Sequence, residues 1–205
     1  RRVLTGPSYA HLLSSRATES GADLRLRSMV TDWAGERSLM VTSPQGRYRL
    51  DADAIVLATG ARERPRPARF VPGDRPGGVL TTGQLQNLVH VHGRTLEGPA
   101  LIVGAELVSW SAVLTLRHAG VRQIVMVTTH PRPEVQRPVA LVGRAALGVR
   151  LSTSTGVASI VGRDHVEAVE LVDSVSGRRW SEPCHTVVFT GDWVPDHELA
   201  TLAGL

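Results

Sequence analysis

No lysine occurs in this sequence, and all 23 basic residues are arginine. They are spread singly among 19 acids, so the net charge of +4 gathers into no phosphate-binding patch and argues against a nucleic-acid partner. Aromatic residues are equally sparse, with two Phe, two Tyr and four Trp, which leaves no stacking platform for single strands. The single cysteine, Cys184, excludes an internal disulfide and a CxxC redox pair, and points to the reducing cytoplasm as the compartment. Apolar runs are short: Ala54 to Ala58 and Ala100 to Val103 are strand-sized, far below the ~20 residues that cross a bilayer, so no membrane span is expected. The opening Arg1-Arg2-Val3-Leu4-Thr5 has neither the apolar core nor the small-residue cleavage site of a targeting peptide. A start without Met and an end at Ala203-Gly204-Leu205 lead to the expectation of a piece cut from a longer protein.

What is present is 42% hydrophobic residue content in 205 residues, enough for one large domain or one and a half. Leu12, Leu13 and Ala17 at helical spacing predict a helix over Pro7 to Ser20, closed by Gly21. Asp23 to Val30, Ser38 to Ser43 and Tyr48 to Leu50 predict an antiparallel meander. Asp53 to Gly60 is a continuous apolar run closed by Gly, the pattern of a strand buried in a parallel sheet. The Pro, Arg and Gly-rich stretch Arg62 to Gly78 predicts a linker and a domain boundary, giving domains 1–78 and 79–205. Beyond it, Thr82 is expected to cap a helix over Gly83 to His92. Pro99 to Gly104, Leu107 to His118 and Gln123 to Val127 then form a β-α-β unit. A helix is expected over Pro133 to Leu147, then strands over Thr155 to Val161, Val166 to Val172 and Arg178 to Trp180, and a buried strand over His185 to Thr190 before Gly191. The order of meander, apolar strand and Gly therefore occurs twice.

Three motifs carry chemistry. The run Asp53 to Arg66 contains Ala58-Thr59-Gly60 after an apolar strand, extended by Ala61-Arg62-Glu63-Arg64-Pro65, and then Pro72-Gly73 and Gly77-Gly78-Val79-Leu80-Thr81. This passage resembles the two-dinucleotide-domain flavoproteins of the pyridine nucleotide-disulfide oxidoreductase type. It is most similar to the α-type subunits of opine, proline and sarcosine oxidising flavoenzymes and of hydrogen cyanide synthase. The resemblance implies an α/β fold of Rossmann-like dinucleotide-binding units with antiparallel β-meanders, FAD as cofactor, and the Ala58, Thr59, Gly60, Ala61 and Arg62 turn beside the flavin, where Gly permits close backbone approach. It also implies that main-chain groups of Met29 and Val30 hold the FAD adenine. Residues 1–78 would be the rear part of the FAD-binding domain and 79–205 an NAD(P)-binding-like Rossmann domain.

The second motif, Val103-Gly104-Ala105-Glu106-Leu107-Val108-Ser109, stands where a G-x-G-x-x-G loop belongs, between a strand and a helix. Only Gly104 is kept. Glu106 replaces the glycine that lets backbone approach a diphosphate, and Ser109 the glycine of helix-strand packing, so Glu106 opposes NAD(P) by bulk and like charge. Gly104, Ser109 and the helix N-terminus remain as candidate contacts for a nucleotide. After the second strand Thr128-Thr129-His130-Pro131-Arg132 offers no ribose-binding acid, and no spacing of His or Cys predicts a metal site. The third motif, Thr186 to Leu199, resembles the second ATG-like passage of the same flavoproteins, with Asp192 where Arg is usual. The implied activity is FAD-dependent dehydrogenation or oxidation of a small amino-acid-like or imino substrate, with a partner subunit of a hetero-oligomer carrying the substrate site. No residue is assigned as catalytic. The readings of other classes are a degenerate nucleotide fold used for assembly, and an NAD(P)H-dependent flavin reductase.

Overall fold

In the computed structural model, which describes residues 6–135, 143 and 145–205, the chain divides into two compact units. The smaller comprises 1–60 and 196–205, the larger 61–195. The sequence boundary after Gly78 thus differs from the division by compactness: residues 61–78 pack within the larger unit, where Gly73 bridges to Ile160 and Gly77 to His165. The chain is mixed α/β, with one parallel sheet and several antiparallel ladders.

The smaller unit holds helix α1 (Gly6–Glu19) and a three-stranded antiparallel sheet of β1 (Met29–Gly35), β2 (Ser38–Ser43) and β3 (Gly46–Asp51). The first meander strand lies further along than the expected Asp23 to Val30. Arg27 adopts a left-handed φ of 54°, which breaks extension, and the tight connection at Glu36 and Arg37 pairs Gly35 with Ser38 and so draws β1 downstream. Leu39 and Val41 of β2 face the unit's small core. Trp33 donates its indole N–H to the carbonyl of Leu199, 2.7 Å away, fastening β1 to the short helix near the end of the chain.

The strand expected over Asp53 to Gly60 is not formed. Among the described residues no strand pairs with it, and Val56 is 88% exposed. An apolar run is satisfied as a buried strand only when neighbouring strands take up its backbone N–H and C=O groups.

The larger unit is layered. Its central sheet is five parallel strands in the order β5-β12-β6-β7-β8: β5 (Val79–Thr81), β6 (Ala100–Val103), β7 (Ile124–Val127), β8 (Val149–Ser152) and β12 (Thr186–Phe189). Burial on both faces explains why β6, β7 and β12 read as unbroken apolar runs. On one face lie α2 (Thr82–Gln86), continued by a π-helical turn over Asn87–Val91, and α3 (Leu107–His118). Leu85, Val113, Leu116, Ile102, Met126 and Val188 form that core. On the other face the antiparallel sheet of β9 (Thr155–Val161), β10 (Ala168–Asp173) and β11 (Arg179–Pro183) packs through Ile160, Val169 and Leu171 against Leu101, Val187 and Phe189. The helix cap falls one residue before the expected Thr82. Thr81 Oγ1 accepts the Gln84 N–H while Gln84 Oε1 accepts the Thr81 N–H, a reciprocal capping box. Two short strands, β4 (Ala61–Glu63) and β13 (Trp193–Pro195), pair antiparallel in the same unit, and α4 (Glu198–Leu202) belongs to the smaller unit. Much of the helix expected over Pro133 to Leu147 lies outside the described residues.

Candidate functional site

In a parallel α/β sheet the loops at the carboxyl ends of two strands that diverge in connection order form a crevice. Here those strands are β6, which runs on through α3 to β7, and β12, its neighbour on the other side. Gly104 ends β6 with φ 134° and Gly191 follows β12 with φ 63°, both in the region where a Cβ is disfavoured. The side chain between them is Glu106, the N-cap of α3, which makes no side-chain capping bond. A Cβ built on Gly104 would lie 2.7 Å from Glu106 Oε2 and would collide with Thr190 Oγ1; one built on Gly191 would lie 2.5 Å from Glu106 Oε1. Glu106 Oε1 is buried and has no hydrogen-bond partner among the described residues.

Ser109, at the place of the third glycine, is fully buried. Its hydroxyl is 2.7 Å from Thr190 Oγ1, and Thr190 donates onward to the carbonyl of Val103 at 3.1 Å. That hydroxyl pair lets α3 stay close to β12 without a glycine. Arg69 closes the rim of the crevice. Its guanidinium lies 5.3 Å from the centre of the Phe189 ring and donates to the carbonyls of Arg64, Thr190 and Gly191 at 2.7, 3.1 and 2.7 Å. Burial lowers the Arg69 pKa, against the pull of Asp192, Glu106 and Glu63. Glu63, at 9% exposure, accepts the Gly83 N–H through Oε2 at 2.8 Å and leaves Oε1 unpartnered among the described residues. Arg64 lies 3.6 Å from Asp192.

Of the sequence candidates, Gly104 and Ser109 meet in this crevice, while Ala61 and Arg62 lie on β4, opposite Pro195 and Val194 of β13. Met29, Val30, Ala58, Thr59 and Gly60 belong to the smaller unit. Met29 and Val30 open β1, opposite Thr42 and Val41. The Ala58-Thr59-Gly60 turn is held by Asp196: Thr59 Oγ1 donates to its carbonyl, and its N–H donates to the Gly60 carbonyl at 3.1 Å. Gly60 has φ 75° and nothing within 4 Å of where a Cβ would stand, so its backbone is open on that side. Sequence reasoning missed Arg69 and Glu63. Arg69 holds carbonyls more than 120 positions away and Glu63 an N–H twenty positions on, and neither has a local signal. Among the described residues no group of three or more His, Cys, Asp or Glu could hold a metal ion, and no helix is long and apolar enough to cross a membrane.

Comparison with known proteins places the fold in a family. The chain is 25% identical over its whole length to a subunit of opine oxidase from Agrobacterium tumefaciens, of which it spans 45%. It is 30% identical over 85% of its length to the ferredoxin reductase component of chlorobenzene dioxygenase from Cupriavidus, spanning 46% of that protein. The chain thus spans about half the length of the curated relatives it matches. Its fold superposes on thioredoxin reductase of T. acidophilum with a TM-score of 0.77 at 14% identity, over 96% of this chain and 62% of that one. The model of the family described as pyridine nucleotide-disulphide oxidoreductase matches residues 4–205, and the chain belongs to that family.

Proposed function

We propose that this chain is part of a longer FAD-dependent oxidoreductase that dehydrogenates or oxidises an amino-acid-like or imino substrate. The observation that carries the reading is the open Gly60 turn, braced by Asp196 at the end of the apolar run 53–60, in a chain whose family match runs from residue 4 to 205. The likeness to an opine oxidase over the whole chain supports the substrate class, and the relative's standing as one subunit of that enzyme supports a partner chain carrying the substrate site. In this reading the smaller unit contributes to the FAD-binding domain: main-chain groups of Met29 and Val30 hold the adenine, and the Ala58 to Arg62 passage lies beside the flavin. FAD supplies the two-electron chemistry; this chain's residues supply a bare backbone surface against it. No residue is assigned a catalytic role. Residues 1–78 are the rear part of the FAD-binding domain and 79–205 the second dinucleotide fold. A reductase drawing electrons from NAD(P)H is the second reading, supported by the 30% identity to a ferredoxin reductase component.

An absorbance spectrum of the longer protein tests the proposal. The expected result is a stoichiometric flavin band that bleaches anaerobically on adding an opine or a secondary amino acid. A longer protein with no flavin overturns the cofactor assignment, and bleaching by NADH alone favours the reductase.

A further inference from the structure

The loop at Gly104 keeps the fold of a pyridine-nucleotide site and does not fit the nucleotide. We infer that Glu106 closes this crevice to pyridine dinucleotides from within, its carboxylate lying between the two glycines where a diphosphate would meet bare backbone. The space that Gly104 and Gly191 leave by having no Cβ is filled from both sides by the same carboxylate, Oε2 toward Gly104 and Oε1 toward Gly191. A diphosphate would meet a side chain in that space and a like charge beside it.

The rest of the loop has not decayed. The Gly104 N–H still donates to the carbonyl of Val127 at 2.8 Å, the β6-α3-β7 unit is intact, and Ser109 keeps the helix against Thr190 through its buried hydroxyl. Only the entrance is filled. An independent feature points the same way. The end of β7, where a carboxylate would bind the ribose hydroxyls, presents buried Thr128, whose Oγ1 is taken by the His130 N–H at 3.2 Å. A buried carboxylate oxygen without a partner weakens the fold it sits in, so packing alone does not explain Glu106. Glu106 is therefore a specificity residue that withholds the second dinucleotide unit from NAD(P)H.

The test is calorimetric titration of NADH, NADPH and ADP-ribose into the protein and its Glu106→Gln and Glu106→Gly variants, with flavin content and thermal melting read separately. Gln keeps the volume and removes the charge; Gly removes both and is acceptable at an N-cap. The expected order of affinity is unmodified, then Gln, then Gly, with Glu106→Gly at least about tenfold tighter than the unmodified protein, the equivalent of ~1.4 kcal/mol. Melting at or above the unmodified temperature is expected for Glu106→Gly. Micromolar binding of NADH or NADPH by the unmodified protein overturns the inference. So does a folded Glu106→Gly that gains nothing, and so does a Glu106→Gly that fails to fold, since the carboxylate would then be structural. Flavin content is expected to be equal in all three, so a failure of the flavin assignment is seen apart from any of these outcomes.

Discussion

Residues 53–60 and 186–191 share one pattern, an apolar run after a three-stranded meander and before a glycine, and they have opposite fates. Thr186–Phe189 is the second strand of a five-stranded sheet, bonded to β5 on one side and β6 on the other, with Val187 and Val188 fully buried. Residues 53–60 have no strand beside them among the described residues, and Val56 stands exposed. The difference teaches that an apolar run encodes burial, whereas strand geometry comes from neighbours that accept its backbone hydrogen bonds.

The sharpest break between the two regions is a charge. Val188→Asp places an unpaired carboxylate in the main core and is expected to cost about 4 kcal/mol or more, enough to unfold the larger unit, whereas Val56→Asp in this chain is expected to change stability by less than about 0.5 kcal/mol. Urea denaturation of both variants measures this. Comparable losses would remove the distinction.

A smaller contrast is cavity formation. Phe189→Ala removes the ring beneath Arg69 and its packing in the core shared with Ile160 and Leu171, for an expected loss of about 3–5 kcal/mol, while Val56→Ala should be close to neutral by the same measurement. Cys184, buried beside β12, sharpens the same point through pH. Burial, with Glu182 adding to it, raises its thiol from 9.0 to about 12. An unfolded chain gives up this proton near pH 9 and the folded one does not, so the stability of the larger unit is expected to fall as pH rises from 9 toward 12, and Cys184→Ser should flatten that slope. The thiol should also resist iodoacetamide until the unit unfolds. The smallest expected effect is at the β5-α2 junction, where Thr81→Ala removes one half of the capping box and costs about 1 kcal/mol, read as a shift in the denaturation midpoint.

Much of the larger unit was legible in the sequence because its signals are local and redundant. Leu107 to His118 and Thr155 to Val161 fall where periodicity predicts them, and β6, β7 and β12 differ from expectation only at their ends. The β4-β13 pair and the edge strands β5 and β8 were not legible as strands, since they lack the continuous apolar run of β6 and β7 and their pairing joins distant segments. In the crevice, Glu106 and Ser109 could be read because a glycine pattern makes departures visible. That the Glu106 carboxylate faces Gly191, and that Arg69 holds the carbonyls of Thr190 and Gly191, could not: those contacts span 85 and more than 120 positions.

The proposal that the smaller unit belongs to an FAD-binding domain, in which 53–60 forms a strand, is tested most directly by hydrogen exchange on peptides covering 54–58 and 186–189, in this chain alone and within the longer protein loaded with FAD. Slow exchange is expected at 186–189 in both, and at 54–58 rapid exchange in the chain alone that becomes slow in the FAD-loaded protein. Exchange at 54–58 that stays rapid in the FAD-loaded protein would contradict that reading.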